Sequence, residues 1–365
     1  MMDSNFTIKA ISDINFQEVL NLVSENGFLP SVDSPYESSL ASVFEFQKTT
    51  NNYNFEKMIA LYDDEQLVGV LFLLVFELQY KNKIYPCVQG SSGYVKPNYR
   101  GVFKQFLKKM LEISNNAFLL FMFSAPAVHK TASNNGFVEV CKNQFVENKY
   151  ILVKPFSFIN SSINNAFLKS FSKLFVPLDK LLFRLKSESK IKIIENTLFE
   201  GDYSIIEKDY KTDYFEKLVP VWNRDVLKNK YKKTTLNIDT ERGENASFHF
   251  VALNVENEII GSLVVRKIAN YNRLVIVELN TSISDRRKIV KSFESFLINK
   301  AYLAGYEAIM YNGIGEEYET LLSRKFFKLS KKSNLKVFFK SNIKEEILHV
   351  EDKIKFFYST DDVNF

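Results

Sequence analysis

The sequence predicts an α/β (α+β) protein built from two similar mixed sheets, flanked by helices and joined by a helical linker. Three observations predict it. The chain has 365 residues, and at roughly 100 to 200 residues per domain that length favours two domains. Hydrophobic residues make up 46% and charged residues 25%, a balance that lets the chain bury a core and excludes disorder. Apolar runs at strand spacing alternate with amphipathic stretches, and the same order returns in the second half.

The elements follow in chain order. Residues 16–23 carry apolar side chains at helical spacing and stop at Asn26-Gly27, where a helix naturally ends. Residues 57–62 and 67–78 are two apolar runs around the turn Asp63-Asp64-Glu65, the pattern of a hairpin of buried strands. A strand over 85–95 ends at Lys96-Pro97. Over 102–113, Val102, Phe103, Phe106, Leu107, Met110 and Leu111 share one helical face, with Lys104, Lys108, Lys109 and Glu112 largely opposite. After Asn115-Asn116 comes a strand over 117–123, then a short polar helix and a strand over 137–140. The order is β-β-β-α-β-α-β.

The second half repeats it. Ile59-Ala60-Leu61 and Gly69 return as Val251-Ala252-Leu253 and Gly261, each pair around an acidic turn. Val102-Phe103 and Phe106 return as Ile289-Val290 and Phe293, and Phe137 as Phe327. Agreement of three separate elements in order favours duplication over the chance similarity of two α/β hairpins. The expected division is a first domain over 1–155, a linker over 156–200 and a second domain over 201–365. In the linker, Phe167, Phe171, Leu174, Leu178, Leu181 and Leu185 form a helical stripe, and Pro177 is expected to start a second helix. Lys169, Lys173, Lys180, Arg184, Lys186 and Lys190 there oppose only Asp179 and Glu188. The stripe is expected to pack between the domains with its lysines solvated; the alternative is that it lies on anionic lipid.

Charge and composition restrict the function. Lys+Arg 48 against Asp+Glu 43 leaves a net charge of +5, too little for the field of a dedicated nucleic-acid binder, so no nucleic-acid partner is expected. Cys87 and Cys141 cannot form a disulfide framework, and His129, His249 and His349 have no metal-ligand spacing, so no metal is assigned and a reducing, cytoplasmic setting is expected. Residues 1–14 lack the basic start and apolar core of a secretory signal. The apolar run 67–76 is about half the ~20 residues needed to cross a bilayer, so no transmembrane segment is expected.

The stretch that carries chemistry is Ser91-Ser-Gly-Tyr-Val-Lys-Pro-Asn-Tyr-Arg-Gly-Val-Phe-Lys-Gln-Phe-Leu107. A strand enters a helix through a Pro-bounded turn, leaving backbone N–H groups and the positive dipole end where a phosphate can sit. With Val95, Pro97, Tyr99, Arg100 and Gly101 it resembles the V-x-P-x-Y-R-G motif of the GNAT superfamily of acyl-CoA N-acyltransferases. Asn135-Gly136-Phe137 is similar to that family's G-F, and the strand order of 57–145 matches too, so the resemblance spans a domain. The duplicated half makes a tandem GNAT the natural reading, with the tail over 356–365 resembling the ends of bacterial tandem proteins. This sequence also departs from the pattern. The turn at Arg100-Gly101-Val102-Phe103 is about two residues short of R-x-x-G-x-G/A, and Ala132 stands where the family often has a tyrosine acid. In the second half, Ser284-Asp285-Arg286-Arg287-Lys288 has no glycine and Phe326 replaces the Gly of G-F, so that copy is expected to be degenerate.

The resemblance implies acyl transfer from acetyl-CoA or another acyl-CoA to a small amine. The cofactor would be held by Gly93, Tyr94, Val95, Arg100, Gly101, Val102, Phe103 and Lys104, with a strand N–H steadying the oxyanion. Glu77 and His129 are the candidate catalytic bases; each also has a plain reading, as a solvated strand end and a surface or cap residue. The string Trp222-Asn-Arg-Asp225 is compatible with lining an acceptor cleft or with helical packing. Analogy with similar tandem proteins suggests an amino sugar or nucleotide sugar of bacterial surface polysaccharide as acceptor. The alternatives are a non-catalytic binding or scaffold protein, and an aminoacyl or peptidyl transferase of related fold that does not use CoA.

Overall fold

A computed structural model describes residues 6–11, 16–25, 58–81, 83–123, 126–140, 147–162, 166–182, 191–231, 246–268, 272–311, 321, 328–332 and 336–343. The first half runs β1 (Phe6–Ile11), α1 (Phe16–Glu25), β2 (Met58–Asp63), β3 (Gln66–Tyr80), β4 (Lys83–Val95), a 3₁₀ turn (Pro97–Val102), α2 (Phe103–Ile113), β5 (Phe118–Phe123), α3 (Pro126–Asn134), β6 (Val138–Val140) and β7 (Glu147–Leu152). The linker holds α4 (Pro155–Ser162), α5 (Ala166–Phe175), a 3₁₀ turn (Val176–Leu178) and α6 (Asp179–Leu182). The second half runs β8 (Lys192–Glu195), α7 (Ser204–Asp213), β9 (Val219–Pro220), α8 (Arg224–Tyr231), β10 (Ser247–Leu253), β11 (Ile259–Ile268), β12 (Arg273–Thr281), α9 (Arg286–Leu303), β13 (Ala308–Tyr311), β14 (Lys328–Lys332) and β15 (Lys336–Ser341).

The order read from the sequence for 57–145 is the order observed, and β1, which the sequence reading passed over, adds an edge strand antiparallel to β2. Residues 67–75 of β3 are all buried, because α1 covers one face of the sheet and α2 and α3 the other. Helix α2 turns Phe106, Leu107 and Met110 into that core and leaves Lys104 and Lys108 exposed, as its amphipathic spacing requires. In the second half α9 covers one face. On the other, Tyr210, Trp222 and Tyr231 from α7, the connection after β9, and α8 pack on Val264 and Val277.

The two sheets have equivalent strand orders. One runs β1-β2-β3-β4-β5-β15-β6, with β9 pairing β3, and the other runs β8-β10-β11-β12-β13-β7-β14. Each sheet takes strands from the other half of the chain: the second takes β7, and the first takes β15 and the short β9. β7 lies antiparallel between β13 and β14, and β15 lies antiparallel between β5 and β6. β15 fits because Val337, Phe338 and Phe339 alternate between the two faces of the first sheet and are all buried. Sheet membership therefore departs from the division at residues 155 and 201: β7 completes the second sheet and β15 the first. The repeated positions meet the same partners in each half, with Gly69 under Phe106 and Gly261 under Phe293. Phe326, Phe327, Cys141, His349, Leu185, Arg184, Lys186, Glu188, Lys190 and the tail over 356–365 lie outside the described residues.

The linker corrects one expectation. Phe167, Phe171, Leu174 and Leu178 do not pack between the halves but face solvent. The buried side of α5 carries Ser172, and Phe175 stacks on Phe156 of α4. Periodicity reports that a face is apolar, not what covers it. Pro177 sits at the start of the 3₁₀ turn rather than of α6, which begins at Asp179.

Candidate functional site

β4 runs parallel to β5 only over Cys87–Gly90, opposite Phe118–Phe121. The ring of Phe121 lies across Gly90, where an added Cβ would come within 2.0 Å of it, so only glycine allows this close approach. Beyond Gly90 the strand continues to Val95 on β3. Ser91 and Ser92 stand opposite Phe72 as a bulge, which bends the strand away from its neighbour. Among the described residues no strand pairs with the far edge of 91–95, and Gly93 is exposed there. Tyr94 packs toward the α1 face and Val95 toward the α2 face.

The chain then makes the 3₁₀ turn. Tyr99 N–H donates to the Lys96 carbonyl at 2.9 Å, and the Tyr99 hydroxyl donates to Asp63 Oδ2 at 2.6 Å. Phe6 meets the Tyr99 ring edge-on at 5.4 Å. Hydrogen bonding to Asp63 pushes the Tyr99 phenol above its ordinary pKa, so the hydroxyl stays a donor. Helix α2 starts with no side-chain cap and no acidic residue in its first turn. Val102 is buried, Phe103 meets Phe121 at 6.4 Å, and Lys104 is exposed. A Cβ built on Gly101 meets nothing within 4 Å. The arrangement offers an anion the positive end of a helical segment with no acidic residue in the first turn of α2, and an open approach over Gly101. Gly93, Tyr94, Val95, Arg100, Gly101, Val102, Phe103 and Lys104 are thus continuous along one strand end, turn and helix start.

Glu77 is not brought to this place. It pairs with Pro86 on β4, whereas Leu71 pairs with Gly93, which puts Glu77 ~20 Å farther along the strand at the usual rise per residue. Its carbonyl accepts Val221 N–H at 2.8 Å, where β9 joins β3. His129 lies half-buried on α3, its ring 5.4 Å from Phe338 of β15. Ala132 is fully buried in the core that α2 and α3 share with the sheet, so a tyrosine there would overpack the core rather than restore an acid. Gly136 takes φ 78° and, with Phe137 N–H donating to the Ala132 carbonyl, ends α3. The glycine of the G-F pair is therefore a helix stop.

The second half shows the same splay, with different chemistry at the turn. β12 pairs with β13 over Arg273–Ile276 and continues on β11 to Thr281, again past a bulge. Two carboxylates of α7 occupy the donors that follow: Asp209 Oδ2 accepts Ile283 N–H at 2.7 Å, and Asp213 pairs with Arg286. On β12, Glu278 accepts Trp222 Nε1–H at 3.1 Å, the Tyr231 hydroxyl at 3.0 Å and Lys230 Nζ at 3.1 Å. Trp222 is buried and Arg224 Nε–H donates to the Phe199 carbonyl at 2.9 Å, so the 222–225 string takes the packing role. Sequence reading missed Asp63, Asp209, Asp213 and Glu278, because each meets its partner across elements distant in the chain.

No family model matches the sequence, and no curated protein matches it. Solved structures do. A probable N-acyltransferase from Enterococcus faecalis is similar over 93% of this chain and 73% of its own at TM-score 0.58 and 12% identity. A GCN5-related N-acetyltransferase from Anabaena variabilis is similar over the same shares at TM-score 0.57 and 11% identity. Saccharomyces cerevisiae N-myristoyltransferase, solved with bound myristoyl-CoA and inhibitors, is similar over 100% of this chain and 85% of its own at TM-score 0.59 and 10% identity. At such identities the likeness is one of fold. The architecture is the tandem GNAT-like fold, and the structures that share it here are N-acyltransferases.

Proposed function

We propose that the chain is an N-acyltransferase that uses an acyl-CoA bound at the first copy and a small amine as acceptor. The observation that carries this reading is the parting of β4 from β5 directly before the 3₁₀ turn that runs into α2, whose first turn has no acidic residue. The diphosphate would lie over Gly101 at the positive end of the helical segment, with Arg100 and Lys104 supplying positive charge. A backbone N–H of Gly93 to Val95 would steady the oxyanion as the amine attacks the thioester. His129 is the base retained in this reading, since Glu77 is remote from the turn, and water would protonate the leaving thiolate. The second copy holds no CoA in this reading, because Asp209 and Asp213 already take the turn's donors and would repel a phosphate. An amino sugar or nucleotide sugar is the acceptor class to try first.

A second reading, a binding protein that keeps the fold without turnover, is favoured by one observation: neither Ala132 nor Glu77 places an acid or base at the splay. Thermal shift with acetyl-CoA and longer acyl-CoAs, followed by thiol release across a panel of amines, separates the two. Occupancy at 100 times Kd adds about 2.7 kcal/mol of stability. Binding with turnover supports the transferase, binding alone the second reading, and no binding defeats both and favours an aminoacyl or peptidyl transferase independent of CoA.

A further inference from the structure

The gap between β4 and β5 is a wedge, and its apex is filled. The last paired residues are Gly90 and Phe121; beyond them β4 runs through its bulge to Gly93, which is exposed. On β3, Gly90 stands opposite Leu73 and Gly93 opposite Leu71, so two residues of extended chain, about 7 Å, separate the apex from Gly93. At the apex the fully buried Phe121 ring lies across Gly90 and leaves no space there for a Cβ. Phe137 and Phe103 meet that ring edge-on at 5.2 and 6.4 Å. Leu120, on the opposite face of β5, is fully buried as well. The sheet itself does not require a ring over a glycine. At the same register in the second copy, Ile276 stands opposite Tyr311, and both side chains are buried in one core.

We propose that Phe121 is the end wall of the acyl site and restricts the donor to short acyl groups, an inference that rests on the transferase reading above. With the diphosphate over Gly101 and the thioester at the N–H groups of Gly93 to Val95, an acyl group continuing in the same direction enters the wedge. It meets the ring after about 7 Å. That is room for an acetyl group or a chain of a few carbons, not for a long one. Each methylene buried in an apolar site is worth roughly fourfold in affinity. A longer chain forfeits that gain once its end reaches a wall that close packing keeps from yielding.

The test is calorimetric binding of acetyl-CoA and octanoyl-CoA to the full chain and to Phe121→Ala, with Phe121→Leu as the milder variant should the alanine protein fail to fold. The parent should bind octanoyl-CoA more weakly than acetyl-CoA. Phe121→Ala should raise octanoyl affinity relative to acetyl affinity on the order of tenfold, as two or more methylenes enter the space of the ring. An unfolded fraction lowers the apparent affinity for both ligands alike, so their ratio reports the wall and not a loss of stability. Phe118→Leu removes a ring from the opposite face of β5 and should keep the parent's ratio. The proposal is overturned if the parent binds octanoyl-CoA as tightly as acetyl-CoA, if the folded Phe121 variant keeps the parent's ratio, or if Phe118→Leu shifts the ratio equally. In those three outcomes acyl-CoA still binds and the transferase reading stands; a parent that binds neither ligand overturns both.

Discussion

Phe293 of α9 lies over Gly261 of β11 so closely that a Cβ added to the glycine would sit 2.8 Å from its ring and 2.7 Å from Ile289 Cγ2. In the first half Phe106 stands over Gly69 with more room, at 3.3 Å. Gly261→Ala should therefore cost about 1–3 kcal/mol by overpacking, and Gly69→Ala less. Urea unfolding of the two variants checks the order; an equal or reversed cost would contradict the packing described.

His249 predicts an acid-sensitive core. Its Nδ1–H donates to the Asn196 carbonyl at 2.7 Å, its Nε2 lies 3.0 Å from Ser262 Oγ, and its ring stacks on Phe199 at 4.3 Å. Burial pushes its pKa down to about 4. Below pH ~6.5 the unfolded chain takes up a proton that the folded one refuses, so stability falls as pH falls, by up to about 3 kcal/mol at pH 4. Denaturant midpoints from pH 7 to 4 should show this slope, and His249→Gln should flatten it.

Gly101 separates folding from binding. With open space at its Cβ, Gly101→Ala should leave stability unchanged or raise it by about 0.4–1 kcal/mol. If the diphosphate lies against that backbone, the same methyl should sharply weaken acyl-CoA binding. Calorimetry and thermal melts on one sample read both effects.

The two turns should respond oppositely to loss of their arginines. Arg100→Ala should weaken acyl-CoA binding by about 1.5–3 kcal/mol, the range for a hydrogen bond to a charged group. Arg286→Ala should leave that binding intact and lower stability, because it strands the Asp213 carboxylate on α7. Binding lost only in Arg286→Ala would move the cofactor site to the second half.

Tyr99→Phe removes the bond to Asp63 while keeping the ring contact with Phe6. Acyl-CoA affinity should fall through a looser turn, and Asp63→Asn, which can still accept a hydrogen bond, should fall less. Equal affinity in all three proteins would separate the turn's geometry from cofactor binding.

What the sequence determined by itself was local. Continuous apolar runs and helical apolar spacing located β2 to β6, α1, α2 and α5, and the recurrence of Gly69 and Phe106 as Gly261 and Phe293 pointed to two similar halves. The run from Val95 to Gly101 marked the turn, because backbone chemistry there depends on adjacent residues. Tertiary structure decided what depends on distant ones. The exchange of β7 and β15 was illegible, since any apolar strand can complete either sheet until loop lengths and neighbouring edges select one. Glu77 was a candidate base at a strand end, yet it lies six residues along β3 from the position opposite Gly93, because extended chain separates residues by about 3.3 Å each. The α5 stripe was legible as amphipathic but not as exposed, because periodicity gives the direction of an apolar face and only the packing of Phe175 and Asp179 fixes which way the helix is turned.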